Sequence, residues 1–145
     1  MQLNIWKIKN NLEKLPWIKK ASVERQLPST LNISISERSP AAIWQNKGKV
    51  KLIDREGIVL ESTNLEKFTN LLIIVGEDAP QYAERIISII ESEKDIAKHV
   101  SSAIRISERR WNIRTHSGID IKLPEKSPEI AWQQLAEKNR KTVMW

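Results

Sequence analysis

The chain has 145 residues, which is enough for one ordinary domain or two very small ones, and its formal net charge is +6 at pH 7. It contains no cysteine, which excludes disulfide frameworks, thiolate zinc sites and thiol nucleophiles. No stretch approaches the roughly 20 apolar residues of a membrane helix, and no export signal is visible.

A helix followed by two strands is predicted for the first forty residues. The apolar residues of the helix recur at spacings of three and four: Ile5, Ile8, Leu12 and Leu15. Pro16 ends this helix, and the pattern then changes to strict alternation. The alternating apolar residues are Ala21 and Val23, then Leu31, Ile33 and Ile35. A tight turn at residues 27–30, which contains Pro28, makes these two half-buried strands antiparallel neighbours.

Ser39 and Pro40 form the clearest boundary, because a proline ends strand pairing and holds the preceding residue extended. Short strands are predicted after it at 42–45, 50–54 and 58–61, followed by a buried strand at 71–75. A helix begins after Asp78 with Pro80 in its first turn. Its inward stripe is Tyr82, Ala83, Ile86, Ile89 and Ile90. Ser92 is predicted to cap a further short helix that reaches Val100.

An antiparallel meander of three strands follows at 103–106, 111–114 and 119–123. Ser127 and Pro128 are typical of a helix start, and the helical pattern fades after Lys138. Residues 143–145 look like the beginning of a further element. The elements together predict an α+β protein whose main sheet is antiparallel and flanked by helices.

The sequence offers little that catalysis or cofactor binding would need. His99 and His116 are far apart and have no carboxylate at metal-ligand spacing. The four glycines are isolated, so no glycine-rich loop is present to hold phosphate. No G-x-S-x-G motif occurs. We therefore predict a binding module that has no catalytic, cofactor or metal site.

The basic charge permits an acidic protein, an anionic lipid or a nucleic acid as partner. The lysines and arginines are scattered, and no block of five or six like charges marks a basic arm. A nucleic-acid-binding sheet would need aromatic residues interleaved with cations on one face, and Tyr and Phe occur once each. We therefore expect no nucleic-acid partner.

Six tryptophans are the other unusual feature, because Trp and Arg dominate binding hot spots. Trp17, Trp44 and Trp132 are predicted to close hydrophobic cores. Trp111 follows Arg109 and Arg110 on an alternating strand, where it fits either a core position or an exposed anchor.

Residues 15–42, LPWIKKASVERQLPSTLNISISERSPAA, closely resemble the FtsQ/DivIB family of bacterial cell division proteins. In that family, an LPW motif, a strand, a P-x-x-L turn, a strand and an E-R-x-P-x-A motif join the POTRA domain to the β domain. The likeness continues at residues 43–45, 52–57, 72–76, 109–111 and 118–124. It covers nearly the whole chain, and the fragments occur in the family's order.

The resemblance implies a partial POTRA domain at 1–39, made of a helix and two antiparallel strands, and an FtsQ-type β domain at 40–145. The family's membrane helix, the start of its POTRA domain and its C-terminal strand have no counterpart in this sequence. The implied function is a non-catalytic divisome scaffold, a single-pass inner-membrane protein whose periplasmic part binds FtsB and FtsL at the septum. An alternative is a POTRA-type chaperone module of an outer-membrane assembly or secretion system, which should instead carry further POTRA repeats.

The resemblance also implies partner-binding residues in each region. The family's main partner site surrounds its final strand, where a partner adds a strand to the sheet edge. Arg109 and Trp111 lie on the neighbouring strand, where they would pair with a carboxylate and supply an aromatic anchor. Val23 and Arg25 lie on the POTRA strand that the family uses in recruitment. An equally good interpretation of this pair is one core residue and one exposed cation.

Overall fold

The structure is a computed structural model that describes residues 4–142. The chain divides into two compact units, one that ends at Pro40 and one that begins at Ala41. No helix within the described range is long and apolar enough to cross a membrane.

The N-terminal unit consists of a helix and a two-stranded antiparallel sheet, as the sequence predicts. Its elements are α1 (Ile5–Glu13), β1 (Ile18–Gln26) and β2 (Thr30–Glu37). The Asn4 side chain caps α1 by accepting a 3.1 Å hydrogen bond from the backbone N–H of Lys7. The turn between the strands contains a cis peptide bond at Leu27–Pro28.

Burial in this unit is less complete than the alternation of its strands predicts. Helix α1 packs against β1, where Ala21 is buried and its N–H donates to the Glu13 carboxylate over 3.1 Å. On β2, Ile33 and Ile35 remain 53% and 49% exposed. Because opposite residues of an antiparallel pair share a face, these side chains lie beside Val23 and Ala21 on the face that α1 covers only in part.

The C-terminal unit is built on a seven-stranded sheet of order β5-β4-β3-β6-β7-β8-β9. Its strands are β3 (Ala42–Asn46), β4 (Lys49–Ile53), β5 (Val59–Glu61), β6 (Leu72–Val75), β7 (Val100–Ile106), β8 (Arg110–Thr115) and β9 (Asp120–Lys122). Its helices are a 3-10 turn at Ala79–Tyr82, α2 (Ala83–Glu91), α3 (Lys94–Ala97) and α4 (Pro128–Thr142). The predicted hairpin and meander are present, since β3 pairs antiparallel with β4, and β7, β8 and β9 pair antiparallel in series.

The prediction of an antiparallel sheet is wrong at its centre, because β6 is parallel to both β3 and β7. The helices α2 and α3 lie between β6 and β7 in the chain. Parallel neighbours require a crossover connection of this kind, which a hairpin cannot supply. The sheet is therefore mixed, and the α+β class is confirmed. The prediction of a buried strand at 71–75 holds only in part, because Ile74 faces the core while Ile73 is 37% exposed.

The main core lies between the helices and one face of this sheet. It includes the isoleucines of α2, Ile74, Ile113 and Trp132. Trp132 is fully buried, and its Nε1 donates to the carbonyl of Ile90 over 3.3 Å. Trp44 packs against the core in part, and its Nε1 donates to the carbonyl of Gly76 over 2.6 Å. Trp17 is half-buried in the N-terminal unit.

Three predictions about helix boundaries need correction. Ser92 does not cap the next helix; it ends α2, and its hydroxyl donates to the carbonyl of Ile89 over 2.6 Å. Tyr82 precedes α2 and is 38% exposed, outside the inward stripe. Helix α4 continues beyond Lys138 to Thr142, with Arg140 paired to Glu93 and Asp95. The element expected at 143–145 lies outside the described residues.

Candidate functional site

The turn between β7 and β8 has an unusual backbone. The N–H of Arg109 donates to the carbonyl of Ile106 over 3.1 Å, which closes the turn. Its two central residues, Ser107 and Glu108, have φ angles of 54° and 57°. Positive φ at both central positions is the pattern of a type I′ turn, which normally selects Asn and Gly. Two residues with a Cβ atom therefore hold a conformation that each disfavours.

Arg105 lies directly beneath this turn, on the core-facing side of β7. Its guanidinium carbon is 4.2 Å from the centroid of the Tyr82 ring and 5.3 Å from that of the Trp111 ring. Its Nε is 3.3 Å from the Asp78 carboxylate, and its Nη2 donates to the carbonyl of Glu108 over 2.9 Å. The Arg105 side chain is only 8% exposed. It is a buried cation held by two rings, a carboxylate and the turn backbone.

Gly76 makes the position of Arg105 possible. A Cβ atom at Gly76 would lie 2.7 Å from the Cβ of Arg105, and the φ of Gly76 is 135°. Both the close approach and the backbone angle favour glycine at this site.

Three further arginines surround the same turn. A cavity of about 70 Å³ is lined by Tyr82, Arg85, Arg105, Arg109, Arg110 and Trp111, among others. Arg85 forms an exposed ion pair with Glu129 at 3.7 Å, and Arg110 donates to Asn112 over 2.6 Å. Arg109 is exposed at the turn. We call Arg85, Arg109 and Arg110 the arginine rim. Four arginines and one acidic residue, Glu125, line this small cavity. This excess of guanidinium groups suits a carboxylate, with which arginine makes forked hydrogen bonds.

The structure places the predicted site residues in two groups. Arg109 and Trp111 lie close together, but Arg109 belongs to the turn and not to a strand. Trp111 is 5% exposed, so the ring is a core residue and not an exposed anchor. Val23 and Arg25 lie on one face of β1 in the N-terminal unit, where Val23 is half-buried opposite Ile33 and Arg25 is exposed opposite Leu31.

Sequence reasoning missed Arg105, Tyr82 and Asp78. The sequence signal that could have indicated a core-facing Arg105 is its spacing of two from Ala103. In a strand this spacing puts the charged residue on the same face as the small apolar one. The isoleucines at 104 and 106 mark the opposite face just as strongly, so the inner face could not be chosen from the strand alone.

The C-terminal edge of the sheet is the second candidate surface. In the described part of the chain, β9 pairs with β8 on one side and with no strand on the other. Arg114 on β8 forms an ion pair of 2.9 Å with Asp120 on β9. This hydrogen-bonded guanidinium holds the pKa of Asp120 below its ordinary value. A partner strand can add to a sheet edge of this kind by main-chain hydrogen bonds.

Other features of residues 4–142 do not bring catalytic or metal-binding groups together. Among residues 4–142, no group of three or more His, Asp or Glu side chains could hold a metal ion. The backbones of His99 and His116 meet, since the N–H of His116 donates to the carbonyl of His99 over 2.9 Å. A cavity of about 350 Å³ beside α2 is lined by apolar residues such as Leu72 and Ile87 and by polar ones such as Asn70 and His116. Glu91 at its rim is bound by Arg55 at 3.0 Å.

Comparison with known proteins identifies the family. Residues 42–142 match the family described as "Cell division protein FtsQ/DivIB, C-terminal", and residues 1–38 match "POTRA domain, FtsQ-type". The chain is 42% identical over 138 residues to "Cell division protein FtsQ" of Rickettsia bellii (strain RML369-C), covering 95% of this chain and 51% of the relative. It is 35% identical over 136 residues to "Cell division protein FtsQ" of Caulobacter vibrioides (strain NA1000 / CB15N), covering 92% and 45%.

A solved structure of the major extracytoplasmic domain of the cell division protein DivIB from Geobacillus stearothermophilus is also similar. The TM-score is 0.49 at 10% identity, covering 74% of this chain and 96% of that chain. The chain spans about half the length of the curated relatives that it matches.

These findings confirm the resemblance carried by residues 15–42. The alternative of an outer-membrane assembly or secretion module finds no support, because the POTRA match is of the FtsQ type and the following region matches the FtsQ/DivIB C-terminal family. This chain belongs to the FtsQ/DivIB family of cell division proteins.

Proposed function

We propose that this chain is part of a non-catalytic scaffold of the bacterial division machinery, which binds partner division proteins and links them to septal wall synthesis. The observation that carries the proposal is the family match over residues 42–142. The site supports it, since an arginine rim and an open strand edge suit protein recognition.

The proposed location is the periplasmic face of the inner membrane, at the division septum. A single membrane helix outside the described residues would anchor the whole protein. Cell division proteins named FtsQ are its relatives, and the chain spans only about half of their length, so this location is a proposal drawn from the family.

The proposed partners are FtsB and FtsL. A partner strand would add to the C-terminal edge of the sheet, where main-chain hydrogen bonds supply affinity and side-chain pockets supply specificity. In the described range that edge is β9, next to the strand that carries Trp111. Arg109 would pair with a partner carboxylate. Val23 and Arg25 on β1 would contribute a second recruitment surface in the N-terminal unit.

A pull-down with the FtsB and FtsL ectodomains tests the strand-edge account. This chain would be compared with a version extended at its C-terminus by the segment that follows in the Rickettsia bellii relative. We expect the extended version to bind more tightly, because it would offer a longer strand edge. Equal binding by both would contradict a contribution of the added segment to the binding edge, and absence of binding by both would contradict the choice of partners.

Charge reversal tests the role of Arg109 within the same assay. We expect Arg109→Glu to weaken binding about tenfold, since a favourable ion pair becomes a repulsion. The matched control is Lys47→Glu, which makes the same charge change at an exposed position in the β3–β4 turn. Equal weakening by both variants would mean that only net charge matters.

A further inference from the structure

We infer that Arg105 is a positioning residue, which holds the β7–β8 turn in the conformation that presents Arg109 to a partner carboxylate. The inference rests on the proposed function and deepens it. It concerns a residue that acts through the backbone of the turn.

The turn needs an external restraint, because its own residues do not favour its backbone. Ser107 and Glu108 both occupy the left-handed region, at φ of 54° and 57°. Side chains with a Cβ atom rarely adopt this region, and a pair in succession is rarer still. Left alone, such a turn would relax to a conformation with negative φ, and Arg109 would change direction with it.

Arg105 supplies a restraint of the required kind. Its Nη2 donates a 2.9 Å hydrogen bond to the carbonyl of Glu108, the residue that immediately precedes Arg109. The guanidinium has little freedom to follow a moving turn, because Tyr82, Trp111 and Asp78 fix it from other directions. Only arginine combines a flat surface for stacking with enough donors for both the carboxylate and the carbonyl.

Burial separates the role of Arg105 from that of the arginine rim. The Arg105 side chain is 8% exposed and its charge is balanced by Asp78 at 3.3 Å. Arg109 is exposed at the turn. A partner carboxylate therefore meets the rim, while Arg105 acts through the backbone of Glu108.

The test uses the C-terminally extended chain and a paired substitution, because Arg105→Met alone would leave the buried Asp78 carboxylate without its cation. The variant Asp78→Asn/Arg105→Met removes both charges, and the extended parent chain is the control. Affinity for the FtsB ectodomain in complex with FtsL would be measured by calorimetry. Exchange of the Arg109 amide hydrogen would be measured in parallel, since this N–H closes the turn on Ile106.

We expect the paired variant to bind about tenfold more weakly and to exchange its Arg109 amide about tenfold faster than the control. Adding Ser107→Asn and Glu108→Gly should restore affinity to within about threefold, because Asn-Gly favours this turn without help. The melting temperature should recover only in part, since the stack beneath the turn stays broken. If Arg105 only stabilised the fold, affinity and melting temperature would fall and recover together. The rescue variant distinguishes the two roles, because its affinity should recover more fully than its melting temperature.

Three outcomes would overturn the inference. One is unchanged affinity and exchange in the paired variant. Another is a folded rescue variant that still binds weakly, which would mean that Arg105 acts other than through the turn. If the parent chain binds neither ectodomain, the choice of partners is wrong, and unchanged Arg109 exchange in the paired variant would then refute the positioning role independently.

Discussion

Gly48 and Gly57 both have a positive φ angle but differ in the space around them. Substitutions at the two positions therefore distinguish backbone strain from steric clash. Their φ angles are 79° and 85°. A Cβ atom at Gly48 would meet nothing within 4 Å, whereas one at Gly57 would lie 2.3 Å from the carbonyl oxygen of Pro80. Gly57 therefore permits the close approach of two chain segments as well as a turn.

We expect Gly48→Ala to lower the free energy of unfolding by about 1–2 kcal/mol, the cost of a left-handed backbone for a residue with a Cβ atom. Gly57→Ala should cost about 1–3 kcal/mol more, because backbone atoms must shift to remove the overlap. Urea denaturation followed by tryptophan fluorescence would measure both values. Equal losses of stability in the two variants would show that the segment containing Pro80 moves away from the added Cβ atom without an energetic penalty.

The same contrast explains how much of the candidate site could be predicted. The glycines are recognisable as turn residues from sequence, and Arg109 is recognisable through the family motif. The approach of Gly57 to Pro80, the approach of Gly76 to Arg105 and the buried stack on Tyr82 depend on contacts between segments distant in the chain. Such contacts leave no local pattern, and that is why Trp111 fitted two interpretations before the structure placed it in the core.

At the scale of elements, the periodic segments could be predicted and their long-range pairings could not. Alternation and helical spacing located the strands and helices to within a few residues. Strand direction at β6 required the crossover through α2 and α3. The end of α4 was predicted too early, because the residues after Lys138 have no apolar stripe and the contacts of Arg140 lie 45 and 47 residues away.

The last turns of α4 provide a prediction about ion pairs and pH. Arg140 reaches Glu93 at 2.6 Å and Asp95 at 2.9 Å, both next to or within α3. Its hydrogen bond holds the pKa of Asp95 below the ordinary value. The stabilising effect of this pair is therefore fully present above the ordinary pKa, and it is lost as the pH falls through the lower value of the folded protein.

We expect Arg140→Ala to increase hydrogen exchange in the last two turns of α4 at neutral pH, after correction for intrinsic rates. The matched control is Lys141→Ala, which removes an exposed cation from the same helical turn. In the parent chain, protection there should fall at acidic pH below the ordinary pKa of Asp95, and in Arg140→Ala this fall should be smaller. Equal protection in the two variants would contradict a role for the ion pairs in extending α4.

At the scale of the whole molecule, the two units differ in how well they bury apolar surface. The C-terminal unit has a continuous core with fully buried Ile53, Ile74, Ile113 and Trp132. The N-terminal unit has a two-stranded sheet, and such a sheet needs packing on one face to be stable in water. Helix α1 supplies that packing for Ala21 but leaves Ile33 and Ile35 about half exposed.

We therefore expect the N-terminal unit of this 145-residue chain to unfold first. Hydrogen exchange at increasing urea should release the amides of β1 and β2 before those of β3, β6 and β7, because less apolar area leaves water when this unit folds. A single transition with equal exchange free energies in both units would contradict this expectation.

A matched pair of substitutions connects this difference to burial. Ile35→Thr should change stability by less than about 1 kcal/mol, because the side chain already contacts water. Ile113→Thr should cost about 2–4 kcal/mol, because it removes apolar contacts and buries a hydroxyl at a fully enclosed position. Both residues lie on strands and undergo the same chemical change, so strand propensity cancels in the comparison. A large loss of stability in Ile35→Thr would show instead that this face of β2 is shielded from water in solution. Hydrogen exchange of individual β2 amides would then show which residues are shielded.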